Sequence, residues 1–264
     1  MNYTELLGYF GALIIGLVVG LFGGGGSILA VPIFVYLFHL NPILATSYSL
    51  FVVGFSAAAG TIINIKKKLI DYRIAIIFSF PALFSVFVVR RYLISSLPEV
   101  ILDTGSIYIT TKMALMLLFS IVILLSSFSM LKKNKAVIAQ KLNNTNYSLL
   151  LITGSVVGVL TGLVGAGGGF IIVPALVFFA GLKIKQAVAT SLVIITCHAL
   201  FGFLSDITQV NIDWFFLTSI TLISVLGIVL GSYLSNFIND MSLKKNFARF
   251  ILLIALMIIC NELA

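Results

Sequence analysis

The sequence predicts an all-α polytopic membrane protein, with about ten hydrophobic segments in two inverted five-segment repeats and glycine-broken segments at the repeat interface. Three observations carry that prediction. Of the 264 residues, 61% are hydrophobic and only 9% are charged, whereas soluble domains carry roughly 25% charged residues; there is too little charge to cover a water-facing surface. The apolar residues come in long runs rather than in the period-two alternation of a membrane barrel. The chain also repeats itself after a shift of 142 residues.

Each element can be justified in order. Segment 5–22 opens on Glu5 rather than a basic region and runs through Gly16 and Gly20 without a cleavage site, so it reads as a membrane segment and not a removable signal. Gly23 to Gly26 separate it from 27–40, and Asn41-Pro42 turns the chain into 44–63. Lys66-Lys67-Lys68 precedes 73–94, and 107–131 completes the first half. Lys132-Lys133-Asn134-Lys135 opens the linker. The second half then runs through 147–164, a break at Gly165 to Gly169, and segments 169–182, 186–205, 212–236 and 247–261. Segments 27–40 and 169–182 are short for a helix that must cross about 30 Å of hydrocarbon.

The repeat aligns without a gap. Gly16, Gly20, Leu21, Gly23, Gly25, Gly26, Val31 and Pro32 meet Gly158, Gly162, Leu163, Gly165, Gly167, Gly168, Val173 and Pro174. Ala45, Ser49, Leu50, Gly60, Ile70 and Asp71 meet Ala187, Ser191, Leu192, Gly202, Ile212 and Asp213. Apolar coincidences are cheap in a membrane protein. Aligned Gly, Pro and Asp are not, because each answers a particular backbone or solvation need.

Charge sets the orientation. The net charge of +8 resides in short clusters between apolar runs, which is how orientation signals are distributed, so nucleic acid is not an expected partner. With ten crossings, 13 of the Lys and Arg residues fall on one side and Arg90, Arg91 and Lys112 on the other; with eight, the split is 8 against 8. The positive-inside rule favours ten. Both termini are then outside in a multi-pass protein of the bacterial inner membrane. Residues 1–131 form the first repeat, 132–146 a basic cytoplasmic linker and 147–264 the second repeat. An odd number of segments per repeat makes the repeats inverted.

The residues Gly162-Leu163-Val164-Gly165-Ala166-Gly167-Gly168-Gly169, then Val173-Pro174 and Ala187-Val188-Ala189-Thr190-Ser191-Leu192, are similar to the signature of the TauE/SafE sulfite-exporter family. The first half repeats it in Gly20 to Ser27, Val31-Pro32 and Ala45 to Leu50, and Ile212-Asp213-Trp214 and the Gly227/Gly231 pair also fit. The resemblance implies a carrier for small, often sulfur-containing anions such as sulfite, sulfoacetate and related organosulfonates, and it suggests export. Two departures stand out: Ser85 and Val89 replace the counterparts of Gly227 and Gly231, and Phe55-Ser56 replace those of Cys197-His198.

The candidate substrate-binding residues are Gly24, Gly25, Gly26, Ser27, Ser47, Ser49, Gly167, Gly168, Gly169, Thr190, Ser191 and His198. Consecutive glycines disfavour regular helix, and unwound backbone at membrane depth persists only where it is buried in protein or lines a cavity. Gly-broken segments at matching places in inverted repeats point to a transporter site, where N–H groups and a helix N-terminus attract an anion; close helix packing is the structural alternative. The hydroxyls of Thr46, Ser47, Ser49, Thr190 and Ser191 either donate to an anion or bond back to their own helices. His198 either couples flux to protons or is a neutral polar residue. Asp71 and Asp213 read as helix caps, Asp206 as a candidate gate residue and His39 as interfacial; Arg90 and Arg91 form a funnel for anions at the outer mouth or snorkel to headgroups, the second being favoured. Cys197 and Cys260 lie inside apolar runs and suggest neither disulfide nor metal, so no metal or cofactor is expected. A secondary transporter working by alternating access is the leading expectation. A Ser27–His198 hydrolase and a scaffold without flux are the alternatives. The oligomeric state and the coupling ion are not encoded in any motif.

Overall fold

The computed structural model describes residues 3–93, 96, 100–103, 108–131, 147–164, 168–208 and 210–263. The linker 132–146, with Lys132, Lys133, Lys135 and Lys141, and the candidate Gly167 lie outside the described residues. The helices are α1 (Tyr3–Phe22), α2 (Ser27–Pro32), α3 (Pro42–Lys66), α4 (Tyr72–Val88), α5 (Thr111–Leu131), α6 (Tyr147–Val164), α7 (Gly169–Phe179), α8 (Ile184–Asp206), α9 (Trp214–Leu234) and α10 (Asp240–Leu263). They match the expected segments in order. The antiparallel hairpin of β1 (Val100–Asp103) and β2 (Tyr108–Thr110) precedes α5 and takes the first residues expected in segment 107–131.

Local chemistry starts the helices where the sequence suggests. Asn41 accepts from the Ile43 N–H, with Pro42 at the first helical position of α3. Asp71 accepts from the Ile74 N–H and Asp213 from the Phe216 N–H, each at 3.0 Å, so both aspartates are the expected caps.

The short segments are explained by how they fold back. Gly8 lies against Phe38, Gly11 against Ile33, and Gly26 against Ile15 and Val19. α2 and the π-helical turn Ile33–Leu37 that prolongs it therefore run antiparallel to α1, and the Gly23–Gly26 turn is the tip of a helical hairpin. The 11 residues of α7 reach only about 16 Å at 1.5 Å per residue.

Among the described residues, four helical stretches are long and apolar enough to cross a membrane: Pro42–Lys66, Tyr72–Leu93, Ile184–Asp206 and Trp214–Phe237. Their outer faces are strongly apolar. Ile76, Phe80 and Phe84 form an exposed stripe at helical spacing on α4, and Phe80 is 78% exposed. Leu222, Leu226, Leu230 and Tyr233 do the same on α9. Such surface is tenable in lipid and not in water. The chain is a multi-pass membrane protein.

The two halves exchange partners. α1 packs along α9, and α6, its counterpart under the 142-residue shift, packs along α4, the counterpart of α9. In the same way α3 meets α9 while α8 meets α4. Gly16 and Gly20 face the α9 backbone at Ser224, Ile228 and Gly231, while Gly227 and Gly231 face that of α1 at Leu13 and Leu17. Small residues on both helices let the backbones touch. Between α4 and α6 the small residues come mainly from α6: Gly154, Gly158 and Gly162 receive Pro81, Ala82, Ser85 and Val89. The departure at Ser85 and Val89 is absorbed by the partner helix.

Direction can be read from residue pairs. Ser47 meets Asp206, Leu50 meets Gly202, and Gly54 meets Ala199 and Leu200. The numbers fall on one helix as they rise on the other, so α3 and its own counterpart α8 cross antiparallel. Pairs between α4 and α8 rise together (Asp71 with Thr190, Val86 with Gly202, Arg90 with Asp206).

Candidate functional site

The two glycine turns meet. Gly23 and Gly168 have φ of 70° and 67°, a left-handed backbone that favours glycine. Gly24 and Gly169 lie backbone to backbone, so a Cβ on either would overlap the main chain of the other. Gly23 sits against Ser191 Oγ and Val188, and Gly24 against Ile195, all on α8. Ser27 Oγ donates to the Gly24 carbonyl at 2.5 Å, and Ser191 Oγ donates to the Val188 carbonyl at 2.8 Å. Gly25 belongs to the 3₁₀ turn Gly24–Gly26. The structure thus brings together Gly23, Gly24, Ser27, Gly168, Gly169 and Ser191, residues of both glycine stretches and of α8.

The other hydroxyls are distributed elsewhere. Thr190 Oγ1 accepts from the Asp71 N–H at 3.0 Å; at the matching place in the other repeat Tyr48 Oη accepts from the Asp213 N–H at 2.7 Å. Ser49 Oγ is buried without a hydrogen-bond partner among the described residues. His198 is fully buried near the Ser79 backbone, with neither ring nitrogen in hydrogen-bonding geometry. Ser27 donates to Gly24 and His198 lies near the Ser79 backbone, so the two are not joined as a hydrogen-bonded dyad in this arrangement.

Ser47 belongs to a cluster that sequence reasoning did not assemble. Its Oγ donates to Asp206 Oδ2 at 2.5 Å, with the Ile43 carbonyl 3.1 Å away. Arg90 Nη1 lies 3.1 Å from Asp206 Oδ2 and donates to Thr46 Oγ1 at 3.2 Å. Arg90 is 0% exposed and Asp206 4%. The expectation that Arg90 snorkels to headgroups is therefore overturned. α4 widens into a π-helical turn at Val89–Leu93, which changes the angular spacing of its side chains. Arg90 turns inward, while Arg91 stays exposed and donates to Thr208 Oγ1 at 3.3 Å. A buried guanidinium needs a carboxylate nearby. The available signal was Asp206, a carboxylate at the end of an apolar run.

The same end of the molecule, where α1, α3 and α9 begin and α8 finishes, holds a cavity of about 610 Å³ lined by Tyr9, Phe38, His39, Tyr48, Asn211 and Asp213, among others. His39 is exposed there, at a φ of 54°. Among the described residues no cluster of His, Cys, Asp or Glu is arranged to hold a metal ion.

Residues 9–258 match the family described as sulfite exporter TauE/SafE. The chain is 26% identical over 257 residues to a probable membrane transporter protein of Xylella fastidiosa (strain Temecula1), spanning 95% of this chain and 93% of that one. It is 28% identical over 233 residues to the probable membrane transporter protein YdhB of Bacillus subtilis, spanning 88% and 91%. To the probable membrane transporter protein YunE of the same organism it is 27% identical over 273 residues, spanning 94% and 93%. No solved structure matches the chain.

Proposed function

Because the chain belongs to the TauE/SafE sulfite-exporter family, we propose that it is a secondary transporter that exports a small sulfur oxyanion, sulfite or an organosulfonate such as sulfoacetate, by alternating access. The observation that carries this reading is the meeting of the two glycine turns, backbone against backbone, at the junction of the halves. Broken segments at corresponding positions are where transporter repeats build a site. The backbone N–H groups of Gly24, Gly25, Gly26, Gly168 and Gly169, with Gly167 added from the sequence pattern, are the proposed donors to the anion, and the N-terminus of α7 begins at the same point. Ser27 and Ser191 now satisfy backbone carbonyls; rotation of either hydroxyl would offer a donor to an anion. Ser47, Ser49, Thr190 and His198 complete the proposed polar lining.

The antiparallel crossing of α3 with its counterpart α8 supports the inverted arrangement of repeats 1–131 and 147–264, because a two-fold axis along the membrane normal would leave counterparts parallel. The folding back of α2 along α1 supports it too. A hairpin returns the chain to the face where it started, so the parity of each five-segment repeat survives even where α2 and α7 are half-length. With the basic loops inside, both termini lie outside the bacterial inner membrane. Proton or ion coupling belongs to the same proposal.

Counterflow in proteoliposomes tests it, with labelled sulfite inside and unlabelled anions outside. Exchange driven by sulfite or a sulfonate and not by chloride is the expected result. No exchange with any sulfur anion by folded protein would overturn the substrate.

A further inference from the structure

The 142-residue shift places Arg90 opposite Ser232, Asp206 opposite Asn64, Ser47 opposite Ala189 and Thr46 opposite Val188. One end of the molecule therefore holds a buried ion pair with two hydroxyls. The equivalent end holds an amide, a hydroxyl and two apolar side chains. There Asn64 Nδ2 donates back to the Gly60 carbonyl, and Ser232 Oγ is buried without a partner among the described residues.

Three features make the charged cluster more than packing. It ties three helices together (α3 through Thr46 and Ser47, α4 through Arg90, α8 through Asp206), so separating those helices at this end must break it. It lies at the end that holds the 610 Å³ cavity, whose wall residues Leu44 and Tyr48 flank Thr46 and Ser47 in the chain. And Asp206 presents to Arg90 the group an oxyanion would present, a negative oxygen pair in reach of a guanidinium fork.

We propose that Arg90 and Asp206, steadied by Ser47 and Thr46, form a one-sided gate, and that an oxyanion opens it by taking the place of the Asp206 carboxylate on Arg90. This rests on the anion-carrier reading and deepens it by assigning the recognition cation at one mouth. The opposite mouth, with Asn64 and Ser232 in the places of Asp206 and Arg90, has no buried ion pair at those positions to exchange and opens without it.

The test reads accessibility and flux separately. Leu50 is fully buried against Gly202 and lies about one helical turn inward of Ser47 on α3, outside the proposed polar lining. With Cys197 and Cys260 replaced by Ser, Leu50→Cys reports whether the charged end is open, through its rate of reaction with a membrane-impermeant thiol reagent added from that face. In the otherwise unaltered protein labelling is slow, and sulfite accelerates it several-fold. Asp206→Asn raises the basal rate at least five-fold, since Arg90 loses its competitor, and lowers the sulfite concentration needed for half-maximal counterflow. Arg90→Gln also raises the basal rate, but sulfite no longer alters it. The exchange Arg90→Asp with Asp206→Arg restores slow labelling.

A purely structural pair would make Asp206→Asn and Arg90→Gln alike in both readouts, and that result overturns the proposal. So does labelling that ignores sulfite in the unaltered gate. If Asp206→Asn labels at the unaltered rate while sulfite is still exchanged, the gate falls and the carrier stands. If no sulfur anion is exchanged at all, both fall, because the exchange step loses its anion. Should Arg90→Gln not reach the membrane, the combined Arg90→Gln, Asp206→Asn protein, which leaves no lone buried charge, supplies the sulfite-insensitive arm.

Discussion

The two ends of the α3–α8 pair occupy equivalent places in the repeat and are built from different chemistry. At one end Arg90 and Asp206 are sealed from solvent 3.1 Å apart. At the other, Asn64 and Ser232 occupy their positions, and charge appears only at the rim, where Lys67 Nζ donates to Asn236 Oδ1 at 2.9 Å and to the Ser232 carbonyl at 3.3 Å. The backbone is duplicated and the electrostatics are not. Where the aligned segments pack closely, sequence matches are glycines and helix caps. At the two ends of the α3–α8 pair the matches lapse.

The largest expected effect comes from breaking the charged end alone. Arg90→Met leaves Asp206 buried without its cation, and removing one member of such a pair costs about 3–5 kcal/mol; Ser232→Ala, its positional equivalent, stays within about 1 kcal/mol because no charge is stranded. Thermal unfolding of the detergent-solubilised protein separates the two, and equal losses would erase the distinction between the ends. A second variant sharpens it. Asn64→Asp with Ser232→Arg builds an ion pair at the neutral end, and two charged locks are expected to slow sulfite counterflow several-fold at unchanged expression. Unaltered flux would mean that the absence of charge there is not what lets that end open.

How far the sequence could foretell this depends on which residues are asked. The all-helical polytopic class, the caps at Asp71 and Asp213 and the meeting of the glycine turns were legible, because apolar period, capping offset and the cost of glycine in helices are local effects. The hairpin at 100–110 was not, since its short strands adjoin a longer apolar run that reads as helix. The inward turn of Arg90 was the larger omission. Arg90 and Arg91 are identical neighbours in sequence, and only the π-helical turn at 89–93 and the carboxylate of Asp206, more than a hundred residues away, decide which one is buried. Ser47 was named a donor to an anion; the anion it meets in this structure is a carboxylate of its own chain.

The helix caps test where the repeats should agree. Asp71→Ala and Asp213→Ala each remove one side-chain acceptor at the start of a helix, and each is expected to cost about 1 kcal/mol. The two losses should match, because both capping bonds are 3.0 Å long. A difference of more than about 1 kcal/mol, read from unfolding midpoints, would show that the asymmetry of the mouths extends to the loops.

The smallest effect lies at Lys67, a cation at the rim of the neutral end. Partial burial, and then the nearby charge of Lys185, push its ammonium below the ordinary lysine value of 10.5. Folded protein therefore holds this proton less tightly than unfolded chain does, so between the lowered value and 10.5 the unfolded state binds more protons and stability rises with pH. Below that window the deficit is fully present; above 10.5 it has vanished. Lys67→Gln removes the titration while keeping a donor toward Asn236. It is expected to change stability at pH 7 by no more than about 0.5 kcal/mol, as befits a solvent-screened rim contact. The informative readout is the slope: unfolding midpoints compared at pH 8 and pH 10.5 should rise less in Lys67→Gln than in the unaltered protein. Parallel slopes would place the alkaline titration elsewhere and leave the neutral mouth without any charge that matters to its stability.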